Sequence, residues 1–115
     1  MAYTLYNNPR CSKSRQTLEL LTQHNVDLTV GEYLKTPPSI AEITQILKLL
    51  ELEPRELIRK SEEEYKVQNL SNTALSQEQL IEAMHNSPKL IERPILVTPK
   101  SARIGRPPES VLEII

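Results

Sequence analysis

Short β-prone runs of apolar residues stand at the two ends of the chain, and between them apolar residues recur at a helical period. Ala2 to Tyr6 reads as a first strand, stopped by the turn signal Asn7-Asn8-Pro9. From Ser12 to about His24, Leu18 and Leu21 share one face at i, i+3 spacing, which predicts a helix. Val26, Leu28 and Val30 then alternate with polar neighbours, predicting a second strand over Val26 to Glu32. A strand–helix–strand unit of this length favours a parallel pair with a right-handed crossover.

Lys35-Thr36-Pro37-Pro38 breaks the alternation. Ser39 and Glu42 form a capping box ahead of Ile40, Ile43, Ile46, Leu47 and Leu50, an amphipathic helix. Glu53-Pro54 starts a short helix carrying Leu57 and Ile58, and Glu62 to Val67 is weakly helical. Ser76 with Gln79 caps a further helix bearing Leu80, Ile81 and Met84, which Asn86-Ser87-Pro88 stops. Strands return at Pro94 to Thr98 and Ala102 to Ile104, paired antiparallel around Pro99-Lys100-Ser101. Pro107-Pro108 open a last helix with Val111, Leu112 and Ile115 on its buried face. The sum is β-α-β, a helical insertion over about residues 37–90, then β-β-α. That order predicts an α/β layer fold of thioredoxin-like type, with a mixed four-stranded sheet, in one domain spanning residues 1–115.

Composition narrows the function classes. With 115 residues the chain can bury one real core. Neither Trp nor Phe occurs, so that core must come from Leu, Ile and Val. A net charge of −1 and the lack of charge blocks give no basic field for nucleic acid. A single cysteine leaves no internal disulfide and no Cys-rich metal site, which suits a reducing compartment. No His/Asp/Glu spacing suggests a metal; His24 and His85 each stand at a predicted helix end, as dipole partners. Glu62 to Glu64 read as a solvated face. No signal-like run opens the chain and no stretch approaches the ~20 residues of a membrane span. A soluble, cytoplasmic protein is expected.

The remaining chemistry gathers in Asn7-Asn8-Pro9-Arg10-Cys11-Ser12-Lys13-Ser14-Arg15. Cys11, the only cysteine, falls on a strand-to-helix turn beside Arg10, Lys13 and Arg15. Unpaired N–H groups and the positive end of the helix dipole favour the thiolate there, and the same N–H groups attract anions. Cationic neighbours and helix N-termini lower thiol pKa values to roughly 3.5–7.5. A nucleophilic sulfur and an anion cradle thus occupy one loop.

That loop from Tyr6 to Arg15, then Leu57-Ile58-Arg59-Lys60, Glu92-Arg93-Pro94-Ile95-Leu96-Val97-Thr98-Pro99, and Arg106-Pro107 with Val111-Leu112, resemble the ArsC family. These are small glutaredoxin-coupled arsenate reductases on a thioredoxin-like fold. The resemblance implies that Cys11 is the catalytic nucleophile. It places Ser14 in the loop beside it, and Arg59, Arg93 and Arg106 as residues that bind the substrate anion and stabilise the thiolate. It also implies a cis-proline at Pro94. Where many members carry a histidine four residues before the cysteine, this chain has Asn7, which brings no charge.

Reducing As(V) to As(III) takes two electrons, hence two thiols, and the chain holds one. The second must come from outside. Glutathione is the obvious co-substrate, with glutaredoxin restoring Cys11 and no bound cofactor. Two alternatives share the scaffold. One is a regulatory protein of the Spx type that binds RNA polymerase, although its usual Cys-x-x-Cys switch ends here in Ser14. The other is a glutathione-dependent thiol reductase with a different substrate.

Overall fold

A computed structural model describes residues 3–115. Ala2, part of the first predicted strand, lies outside the described residues. The chain forms two compact units, one from the residues up to Thr36 with Arg93–Ile115, the other Pro37–Glu92.

The first unit carries the sheet. Strands β1 (Tyr3–Tyr6), β2 (Leu28–Gly31), β3 (Ile95–Val97) and β4 (Ala102–Ile104) lie in the order β2-β1-β3-β4. β1 pairs parallel with β2, Tyr3 opposite Leu28 and Tyr6 opposite Gly31. It pairs antiparallel with β3, which pairs antiparallel with β4. The mixed four-stranded sheet is the one expected. Helix α1 (Ser12–Gln23) supplies the crossover between the parallel strands. Leu5, Leu21, Leu96 and Val111 are completely buried together, with Tyr3, Leu18, Val26, Leu28 and Ile114 packed against them. Aliphatic side chains thus make this core.

Two elements depart from expectation. β2 begins at Leu28 rather than Val26, because the Val26 N–H is spent on the Leu21 carbonyl at the end of α1. Asn25, in the left-handed region with φ 55°, makes that closure. The terminal segment Pro108–Ile114 is a 3-10 helix instead of an α-helix. The peptide bonds Arg93–Pro94 and Arg106–Pro107 are both cis, the second unanticipated.

The second unit is helical: α2 (Ile40–Leu50), α3 (Pro54–Leu57), α4 (Glu63–Val67), α5 (Gln77–Asn86) and a 3-10 turn at Pro88–Leu90. Both predicted capping boxes form, Ser39 with Glu42 and Ser76 with Gln79. Ile43, Ile46, Leu47, Leu57, Leu80, Met84 and Leu90 are buried. His85 ends α5 with Nδ1 2.8 Å from the Pro38 carbonyl oxygen. The glutamates at 62–64 are not uniformly solvated: Glu62 and Glu64 are half-buried, and only Glu63 is exposed. Among the described residues, no helix is long and apolar enough to cross a membrane.

Candidate active site

Cys11 is the N-cap residue of α1, with extended backbone (φ −90°, ψ 126°). The loop that delivers it is tied by local hydrogen bonds. Cys11 N donates to the Asn8 carbonyl at 2.9 Å. The Arg10 N–H donates to Asn8 Oδ1 at 3.1 Å, an Asx turn that bends the chain into the helix. Asn8 N donates to Ser14 Oγ at 3.3 Å, linking the loop to the first turn of α1. Arg15 reaches back to the Pro9 carbonyl at 3.0 Å, so its guanidinium braces the loop. The sequence marked Asn8 as a turn residue and Arg15 as a cation near Cys11; that both brace the loop through these hydrogen bonds is seen only in the fold. The spacing Asn-x-Arg after a strand was the available signal for the Asx turn.

Ser14 is fully buried and Cys11 only partly so. Two guanidinium groups face the sulfur. Arg106 Nη2 donates to Sγ at 3.5 Å, while its Nε donates to the Arg93 carbonyl at 2.8 Å and fixes the side chain. Arg93 also hydrogen-bonds the sulfur. Partial burial pushes the thiol pKa up. The Ser14 N–H, the Arg93 guanidinium, the Lys13 N–H and the Ser14 hydroxyl together outweigh it, drawing the value down to about 7. The sulfur closes no regular cap hydrogen bond with the first turn of α1. The Ser14 and Lys13 N–H groups nonetheless point at the sulfur and favour its thiolate, as they would a bound anion.

Gly105 sets the approach of Arg106. Its N–H donates to the Pro94 carbonyl at 2.8 Å. A Cβ at this position would lie 2.6 Å from Thr17 Oγ1 and 2.8 Å from Pro94 Cγ. Only a bare Cα lets the chain pass this close to α1 and Pro94 before turning at Arg106.

The structure therefore brings Cys11, Ser14, Arg93 and Arg106 together within the first unit. Arg59 belongs to the second unit, where Nη1 donates to Glu92 Oε1 at 2.8 Å and Nε lies 3.4 Å from Glu62 Oε1. Asn7, 4 % exposed, carries a buried Oδ1 that accepts no hydrogen bond.

Comparisons with known proteins bear on the family and the fold. The model of the ArsC family matches residues 6–114. The Escherichia coli (strain K12) protein YfgD, itself uncharacterized, is 53 % identical over 96 % of this chain and 94 % of its own. An arsenate reductase of Haemophilus influenzae is 43 % identical over the full length of both. Among solved structures, an arsenate reductase from Vibrio cholerae superposes with a TM-score of 0.97 at 48 % identity, covering 100 % of this chain and 98 % of that one. The fold is thus the thioredoxin-like one of these reductases, and the chain belongs to the ArsC family.

Proposed function

We propose that this protein is an arsenate reductase that uses Cys11 as nucleophile and an external thiol as the second reductant. The observation that carries this reading is one sulfur at a helix N-terminus with the guanidinium groups of Arg106 and Arg93 directed at it. A tetrahedral oxyanion needs donors arranged around it, and arginine's planar fork supplies them better than lysine's point charge. The relatives named arsenate reductase support arsenate as that oxyanion.

Cys11 Sγ bonds to arsenic, one As–O bond breaks, and the departing hydroxyl takes up the proton shed by the thiol and leaves as water. Arsenic is still As(V) in this adduct. The glutathione sulfur then attacks Cys11 Sγ. The S–As bond breaks with its electron pair staying on arsenic, and the glutathione proton completes arsenous acid. Arsenic has gained two electrons and the two sulfurs have lost them as a mixed disulfide. A glutaredoxin thiol removes the glutathione by exchange and regenerates Cys11. Arg93 and Arg106 hold the anion and the leaving charge, and the Ser14 hydroxyl and N–H hold the sulfur. Arg59 enters as a third anion-binding residue on the strength of its motif, Leu57-Ile58-Arg59-Lys60. No resident cofactor or metal takes part, and the dependence on glutathione places the protein in the cytoplasm.

Arsenate-dependent NADPH oxidation, coupled through glutathione, glutaredoxin and glutathione reductase, tests the reading. Turnover in the wild type that vanishes in Cys11→Ser is expected. A folded wild-type protein without turnover would sink it.

A further inference from the structure

We infer that Asn8 is a positioning residue for the nucleophile: it holds Ser14 so that the serine hydroxyl donates to Cys11 Sγ. The inference takes Cys11 as the nucleophile of the reaction proposed above, but ionisation of the thiol tests it without arsenate. Asn8, 8 % exposed, ties the loop together. Its Oδ1 accepts from the Arg10 N–H at 3.1 Å, and its carbonyl accepts from the Cys11 N–H at 2.9 Å. Its own N–H donates to Ser14 Oγ at 3.3 Å. Pro9 explains the first of these bonds. Proline offers no N–H, so the next donor ahead of the Asn8 side chain is that of Arg10. With the Arg10 and Cys11 N–H groups spent on Asn8, the backbone donors that reach the sulfur are those of Lys13 and Ser14.

The consequence lies in the direction of the Ser14 proton. A serine hydroxyl carries one proton and two lone pairs, and it rotates to suit its neighbours. Beside a cysteine it can accept the S–H proton, which favours the thiol, or donate to the sulfur, which favours the thiolate. Ser14 is fully buried, so bulk water does not compete for its oxygen. The Asn8 N–H fills a lone pair from the loop side, and the hydroxyl bonds the sulfur in the sense that stabilises its charge. An oxygen that already accepts one hydrogen bond is polarised to donate the next more strongly. The groups that hydrogen-bond the sulfur are Ser14, the Lys13 N–H and the guanidinium groups of Arg93 and Arg106, so Asn8 acts on it at one remove.

The test is the pH midpoint of Cys11 alkylation by iodoacetamide, measured on the full chain in a double-mutant cycle. Ser14→Ala should raise the midpoint by about one unit, the scale of a hydrogen bond to a charged group. Asn8→Ala removes the acceptor of the Arg10 N–H and loosens the loop from Ser14. It should raise the midpoint by about half a unit, the net scale of a neutral hydrogen bond. The double variant should fall where Ser14→Ala alone does, because the asparagine acts through the serine. Asn8→Ser keeps an oxygen near the Arg10 N–H and should restore most of the wild-type midpoint. Shifts that add in the double variant, or an Asn8→Ala midpoint equal to that of the wild type, would overturn the inference. A second readout needs no Asn8 variant. The Asn8 amide proton resonance should titrate with Cys11 in the wild type and do so far more weakly in Ser14→Ala. A flat resonance, or one undiminished in Ser14→Ala, would equally overturn the inference. Coupled midpoints without arsenate turnover would reject the substrate and retain the positioning role; additive midpoints with turnover would reject the positioning role alone.

Discussion

The alkylation rate of Cys11 as a function of pH exposes the proposed mechanism most directly. With a pKa drawn down to about 7, half of the thiol is ionised at neutral pH. An ordinary cysteine, near pKa ~8.5, would be about 3 % thiolate under the same conditions. The gain in thiolate is therefore about sixteenfold. Part of it is lost again, because intrinsic nucleophilicity falls with pKa at a Brønsted slope of roughly 0.4–0.5, about fivefold over this range. The net advantage over a free thiol at neutral pH is only about threefold. Rate alone is thus a weak test, and the midpoint of the pH profile is the strong one.

Arg93→Ala removes one of the groups that hold the value down while leaving the upward push of burial in place. The midpoint must rise. An adjacent cation shifts a pKa by about 1–3 units, and the partial exposure of Cys11 favours the lower end. A rise of about one unit cuts the thiolate at neutral pH from a half to roughly a tenth. Iodoacetamide labelling followed by mass spectrometry, from pH 5 to 10, measures both proteins. A wild-type midpoint at the ordinary thiol value, or one unmoved in both Arg93→Ala and Arg106→Ala, would refute the electrostatic account. The folded-state pKa lies below the unfolded one, so ionisation of Cys11 stabilises the fold fully above the unfolded value. That contribution is lost as pH falls through about 7. Urea denaturation of wild type and Cys11→Ser should diverge with rising pH and converge below it.

Gly105→Ala should cost about 1–3 kcal/mol, read as a lowered urea midpoint, because its Cβ meets Thr17 Oγ1 at 2.6 Å and Pro94 Cγ at 2.8 Å. It should also displace Arg106 and raise the Cys11 midpoint. Thr17 Oγ1 is buried without a hydrogen-bond partner, so Thr17→Val should be neutral or stabilising by up to roughly 1 kcal/mol, measured the same way. In the second unit, Ser76→Ala removes the acceptor of the Gln79 N–H bond at 3.2 Å and should cost about 1 kcal/mol. Arg59→Ala should raise the arsenate KM if the motif assigns this arginine correctly; an unchanged KM with intact folding would remove it from the site.

What the sequence made legible is what local chemistry decides. The two capping boxes are four-residue patterns satisfied by their own side chains, and both form. The short β-prone run at Tyr3–Tyr6 and the apolar run at Ile95–Val97 mark strands whatever surrounds them, and both enter the sheet. Cys11 as an N-cap follows from a strand, a proline turn and a helix in succession. One departure arises where a backbone group had two suitors. Val26 reads as strand, but its N–H closes α1 through Leu21 and the strand starts later. The terminal segment has helical spacing, and it forms a 3-10 helix.

The arginine arrangement needed more than spacing. Arg106 reaches the sulfur because β4 pairs antiparallel with β3, Gly105 passes against Thr17 and Pro94, and the Arg93 carbonyl catches Nε. The hairpin is local and its Pro99-Lys100-Ser101 turn announces it, but the contact of Gly105 with Thr17 joins residues far apart in the chain, and no local pattern announces that. The same holds for Asn7. As a letter it replaces a charged neighbour of the cysteine. In the fold it is a buried amide whose side-chain oxygen accepts no hydrogen bond. Thiolate formation does not depend on a cation at that position: Ser14, Lys13 and Arg93 already bring the pKa to about 7.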